Sequence, residues 1–140
     1  LFMLRIDLAN IRTMLRLRRL DMRPPGVFLE GGFVETRRFE KALDAADDAV
    51  VAAFYATPYA GIVELSVAYL DRKESFLRAE QQCRRHMETF LESANTVTSG
   101  HQPVVAYLLR KESEIRTVRF LLTAHRYGLE PELVRDLMGG

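Results

Sequence analysis

The chain has 140 residues, a formal net charge of +1, 48% hydrophobic residues and a single cysteine, Cys83. That length fits one domain with a real core, and no apolar run approaches the roughly 20 residues that a bilayer span needs. One cysteine excludes an intrachain disulfide and fits a reducing compartment, and the near-neutral balance makes nucleic acid a weaker partner class than protein.

The first segment, "LFMLRIDLANIRTMLR", becomes charged within five residues, so no signal peptide is expected. The chain begins at Leu1 rather than Met and is read as a piece of a longer polypeptide. Leu4, Leu8, Ile11 and Leu15 recur at steps of four, three and four, which predicts a helix over 1–22. Pro24-Pro25-Gly26 ends it, because proline disfavours helical geometry in the residue before it. "GVFLEGGF" follows as an apolar linker with a glycine pair, Gly31-Gly32.

Thr36 is the expected N-cap of a helix over 36–56, with Phe39, Leu43, Ala46, Val50 and Phe54 as its apolar stripe. "TPY" at 57–59 breaks it. The next and longest helix is expected over 61–97, with Tyr69, Phe76, Cys83, Met87, Phe90 and Ala94 on its inner face. "SGHQP" at 99–103 interrupts, and Pro103 suits the first turn of a helix over 103–127. There Leu108, Ile115, Val118, Leu122 and His125 form the expected inner face, and Gly128 is the expected C′ stop. Glu130-Pro131-Glu132 opens a short last helix over 131–138. No alternating strand pattern of useful length is present, so the fold class is all-α.

Motifs for chemistry are missing. There is no GxxxxGK[ST], no GxGxxG after a strand and no HExxH. Gly31-Gly32 reads as a tight turn. His86, His101 and His125 are widely spaced, and Cys83 with His86 lacks a second ligand pair, so neither a metal nor another cofactor is expected. Asp47 and Asp48, being consecutive on a helix, diverge and read as a solvated face.

Charge is unevenly distributed. Residues 1–38 carry eight arginines against four acids, and residues 39–82 carry four bases against eight acids. Separate basic and acidic faces suggest charge-guided protein contacts. Arg16, Arg18, Arg19 and Arg23 are the densest basic cluster, with Asp21 as the only nearby acid. Four bases on about two turns are not expected all to find local partners. They read as a contact for an acidic partner, as a solvated face, or as a phosphate contact. Later in the chain, Lys111, Glu112, Glu114 and Arg116 interrupt an otherwise apolar helix. Glu112 and Arg116 stand in the favourable i,i+4 order. The pair is either partly buried and satisfied, or exposed and worth only tenths of a kcal/mol.

"VVAYLLRKESEIRTVRFLL" followed by "GLEPELVRDLM" resembles the C-terminal signature of the C subunit of bacterial and archaeal V-type (A-type) ATP synthases, whose eukaryotic relative is the d subunit. The residues that carry the resemblance are Tyr107, Leu108, Lys111, Glu112, Glu114, Ile115, Arg116, Gly128, Leu129 and Glu132. Asp7, Asn10, Ile11 and Arg12 resemble the family's earlier Asp-x-x-Asn-Ile-Arg helix, and Gly31-Gly32 its following turn. The pieces stand in the family's order over nearly the whole chain.

The resemblance implies a funnel of three helical modules in members more than twice this long, built from long antiparallel helices with short connections. Residues 1–60 would belong to one module and 61–140 to the C-terminal one. Ile-Arg-Thr recurs at 11–13 and 115–117, which under a modular build is a repeat hypothesis matching Arg12 with Arg116. The implied role is non-catalytic: a central-stalk rotor component joining the shaft, made of the D and F subunits, to the membrane proteolipid ring. It would sit peripherally on the cytoplasmic side of the membrane, with no insertion of its own and no nucleic acid. Two alternatives stand beside it: a soluble helical adaptor outside this complex, and nucleic-acid binding through the arginine-rich first helix.

Overall fold

Why the first helix forms and stops is visible in its own residues. In the computed structural model, which describes residues 1–68, 75–94 and 102–138, α1 runs Phe2–Arg19. Leu4, Leu8, Ile11, Met14 and Leu15 are all buried on one face, as the spacing predicts. At its C-terminus Met22 N–H donates to Leu17 O (3.0 Å) and Asp21 N–H to Arg18 O (3.2 Å). This Schellman stop needs a left-handed residue, and Asp21 supplies it at φ 50°.

The other helices are α2 (Thr36–Asp44), α3 (Asp47–Phe54), α4 (Ala60–Ala68), α5 (Ser75–Ala94), α6 (Gln102–Arg126) and α7 (Pro131–Met138). No strand occurs among the described residues, and the fold is all-α. The chain divides into two units, Leu1–Arg84 and Arg85–Gly140, with the boundary inside α5.

Aromatic packing centres the first unit. Phe28 stacks on Phe39 with ring centroids 5.4 Å apart, and Phe39 meets Phe54 at 5.3 Å. Phe39, Phe54, Val50 and Tyr59 are fully buried. Each large apolar side chain taken from water contributes about 1.5–3 kcal/mol, and each ring pair about 0.5–1.5 kcal/mol more.

The single helix expected over 36–56 is corrected to two. Ala45 and Ala46 are extended, at ψ 151° and 158°, and Ala46 is exposed rather than part of the stripe. The physical reason is Arg18 of α1. Its Nη1 donates to the carbonyls of Ala42 and Ala45 (2.8 Å for the latter), and its Nη2 to Asp47 (2.6 Å). A cation thus closes the C-terminal end of α2 and meets an acid in the first turn of α3, both favoured by the helix dipoles. The Thr36 cap is corrected as well: Glu35 is the N-cap residue, and no side chain caps α2.

Of the helix expected over 61–97, residues 69–74 and 95–97 lie outside the described residues, and so do Tyr69 and the side chains of Phe76 and Ala94. Cys83 is buried with Ala79 and Leu91, Met87 is half-buried, and Phe90 is exposed.

The predicted face of α6 is a clearer correction. Leu108, Ile115, Val118 and Leu122 are 59%, 53%, 53% and 66% exposed. The side that packs carries the buried Ala106 and Ala124, with Leu109, Thr117 and Phe120 half-buried. Small residues let a helix approach its neighbour closely, whereas hydrophobicity alone pointed to the wrong side. Gly128 ends α6 as expected, at φ 63°, with Leu129 N–H to Ala124 O (3.0 Å) and Gly128 N–H to His125 O (3.1 Å).

Candidate functional site

Asp7 and Asn10 stand one turn apart on α1 and are both buried. Asp7 Oδ2 accepts from Phe33 N–H (3.0 Å) and Tyr59 O–H (2.8 Å), and Oδ1 from Val34 N–H (3.2 Å). Three donors converging on a carboxylate satisfy it away from water, which burial of a charge requires. Asn10 reads one peptide unit on both sides: its Nδ2 donates to Leu29 O and its Oδ1 accepts from Leu29 N–H, both at 2.8 Å. Together they hold the 28–34 loop against α1.

Gly31 is favoured by its backbone angle and Gly32 by that closeness. Gly31 sits at φ 91°, a left-handed conformation. A Cβ on Gly32 would stand 2.0 Å from Asp7 Oδ1 and 2.9 Å from its Cγ, so no side chain fits there. Burial, together with the bond and charge of Asp7, holds the Tyr59 hydroxyl well above the ordinary tyrosine range. Tyr59 therefore remains a donor at neutral pH, and the carboxylate's bonds hold backbone and Tyr59.

The arginines of α1 face acids of later elements. Arg12 lies 2.9 Å and Arg16 3.0 Å from the carboxylate of Glu80 on α5. Arg18 pairs with Asp47, and Arg23 with Asp44 (2.7 Å) and Asp21 (3.1 Å). Of the cluster Arg16, Arg18, Arg19 and Arg23, three pair with acids and the fourth does not, so among the described residues the four do not all find local partners. Arg19 is exposed and makes no ion pair with any described residue. Four arginines of residues 1–38 thus pair with three acids of residues 39–82.

Cys83 lies buried near Arg12 and Glu80, and burial pushes its thiol up despite the Arg12 charge, so it is no thiolate nucleophile. No group of three or more His, Cys, Asp or Glu among the described residues could hold a metal ion. No described helix is long and apolar enough to cross a membrane.

The model of the ATP synthase (C/AC39) subunit family matches residues 1–137. The chain belongs to that family. A curated C/AC39 relative, the A-type ATP synthase C subunit of Haloferax volcanii, is 24% identical over 132 residues, which is 92% of this chain and 38% of that protein. The chain thus spans well under half the length of the curated relative it matches. No solved structure matches it.

In this C/AC39 chain the two motif regions stand in different surroundings. Asp7 and Asn10 meet the Gly31-Gly32 loop in one cluster of the first unit, while Ile11 is buried and Arg12 pairs with Glu80. Tyr107, Lys111, Glu112, Glu114, Ile115 and Arg116 lie exposed along α6 in the second unit, before Gly128 at the helix end. Lys111 pairs with Glu114 (2.7 Å) and lies 5.7 Å from the centre of the Tyr107 ring. Arg116 pairs with Glu112 (3.2 Å), and both pairs are exposed. Of the two readings of that pair, the exposed one holds here. Tyr59 and Glu80 are the residues that sequence reasoning missed. Tyr59 carried only the signal of a helix break, and Glu80 only its place in the acidic segment.

Proposed function

We propose that this chain is the part of a non-catalytic rotor subunit that couples the D–F shaft of a V/A-type ATP synthase to the membrane proteolipid ring. The observation that carries the reading is the C/AC39 family match across residues 1–137. The named relative is the C subunit of an A-type ATP synthase, and this chain corresponds to part of its length. The geometry of the first unit supports a mechanical role. Its buried Asp7 and Asn10 tie a loop to α1, and ion pairs and hydrogen bonds of Arg12 and Arg18 join α1 to α2, α3 and α5, which suits a stiff body that transmits torque.

In this reading the protein binds no nucleotide and no transported ion, and it sits peripherally on the cytoplasmic side. Residues 1–60 belong to one helical module and 61–140 to the C-terminal one. Of the basic cluster, Arg16 and Arg19 face the partner, since Arg16 keeps 58% of its side chain exposed while Arg18 keeps only 11%. Facing an acidic partner, they raise the association rate more than the final affinity. The family motif residues Asp7, Asn10, Ile11, Arg12, Gly31, Gly32, Tyr107, Lys111, Glu112, Glu114, Ile115, Arg116 and Gly128 serve the architecture.

The deciding experiment is affinity purification of the full-length protein from its own membranes, with identification of what comes along. Co-purification of shaft and ring proteins is expected. Recovery of soluble partners alone would make it an adaptor outside the complex.

A further inference from the structure

We draw no further inference here: the strongest candidate, the groove between α2 and α3 lined by Arg37, Arg38 and Lys41 beside Ala45, Ala49 and Ala53, consists of exposed cations and a stripe of small residues, and nothing in the structure shows what covers it.

Discussion

Ile11 and Ile115 occupy matching places in the two Ile-Arg-Thr triplets, and their surroundings are opposite. Ile11 is fully buried, with Asp7 and Asn10 beside it bonded to the 28–34 loop and Arg12 reaching Glu80 on another helix. Ile115 is 53% exposed, and the ion pairs beside it, Lys111–Glu114 and Glu112–Arg116, join residues of α6 itself. The same short motif therefore acts as a clamp when later elements supply its partners and as a solvated stripe when they do not. Helical spacing is local. The environment that gives a charge its energetic weight is not.

Deleting the clamp gives the largest contrast. Asp7→Ala strands the Tyr59 hydroxyl and two backbone N–H groups, and each buried unsatisfied donor costs about 1–3 kcal/mol. A loss of about 3–5 kcal/mol is expected in urea unfolding, enough to unfold a marginal domain. Ile11→Ala should cost about 2–5 kcal/mol through transfer and cavity terms. Ile115→Ala should leave the unfolding midpoint nearly unchanged, because the side chain is already half exposed. Equal losses at the two isoleucines would mean that α6 is covered as α1 is.

Tyr59 sharpens the contrast with pH. Its hydroxyl titrates above the ordinary tyrosine value of 10.0 because burial, then the bond and charge of Asp7, resist phenolate formation. The folded chain thus holds this proton where the unfolded chain has lost it. Its contribution is fully present below pH 10 and declines as pH rises above that value. Tyr59→Phe should cost about 1–2 kcal/mol at neutral pH and flatten the alkaline limb of the stability curve. An unchanged alkaline limb would remove Tyr59 from the account.

The two helix ends provide a smaller test. Both α1 and α6 finish in the same pair of backbone bonds, but α1 places Asp21 and α6 places Gly128 at the left-handed position. Asp21→Gly should stabilise the chain by about 0.5–1 kcal/mol, and Gly128→Ala should destabilise it by about 1 kcal/mol. Opposite signs in thermal melts check both at once. Losing the exposed Asp21–Arg23 pair takes little from the first gain.

Most helices were legible because their cause is local: stripes at 3.6 spacing, Pro24-Pro25 after α1, Gly128 after α6. The break at Ala45-Ala46 was illegible because alanine is the best helix former, and the stripe of Phe39, Leu43, Val50 and Phe54 continues across it. Its cause is Arg18, some two dozen residues earlier in the chain. The side of α6 that packs was missed because a stripe of large apolar residues outweighs Ala106 and Ala124 in any pattern count. At the clamp, Asp7, Asn10, Gly31 and Gly32 were legible through the family resemblance. Tyr59 was not, because nothing in "TPY" announces a hydroxyl aimed at a carboxylate that lies 52 positions away.

The smallest expected effect concerns the arginines of the two triplets. Arg116 is exposed and bonded to Glu112 one turn earlier, at 3.2 Å. Such an i,i+4 pair stabilises a helix by about 0.2–0.5 kcal/mol, and the higher helix propensity of alanine offsets part of its loss. Arg116→Ala should therefore shift the unfolding midpoint by less than the error of most melts, and by still less in high salt. Arg12 forms an ion pair across elements with a carboxylate shared with Arg16, and only a third of its side chain is exposed. Arg12→Ala leaves Glu80 with the more exposed of its two cations and opens space over Cys83, so a loss of about 1–2 kcal/mol is expected. The Arg12-to-Arg116 ratio measures how much of a charge's worth comes from tertiary partners. A midpoint shift as large for Arg116→Ala as for Arg12→Ala would show that α6 carries a buried ion pair after all.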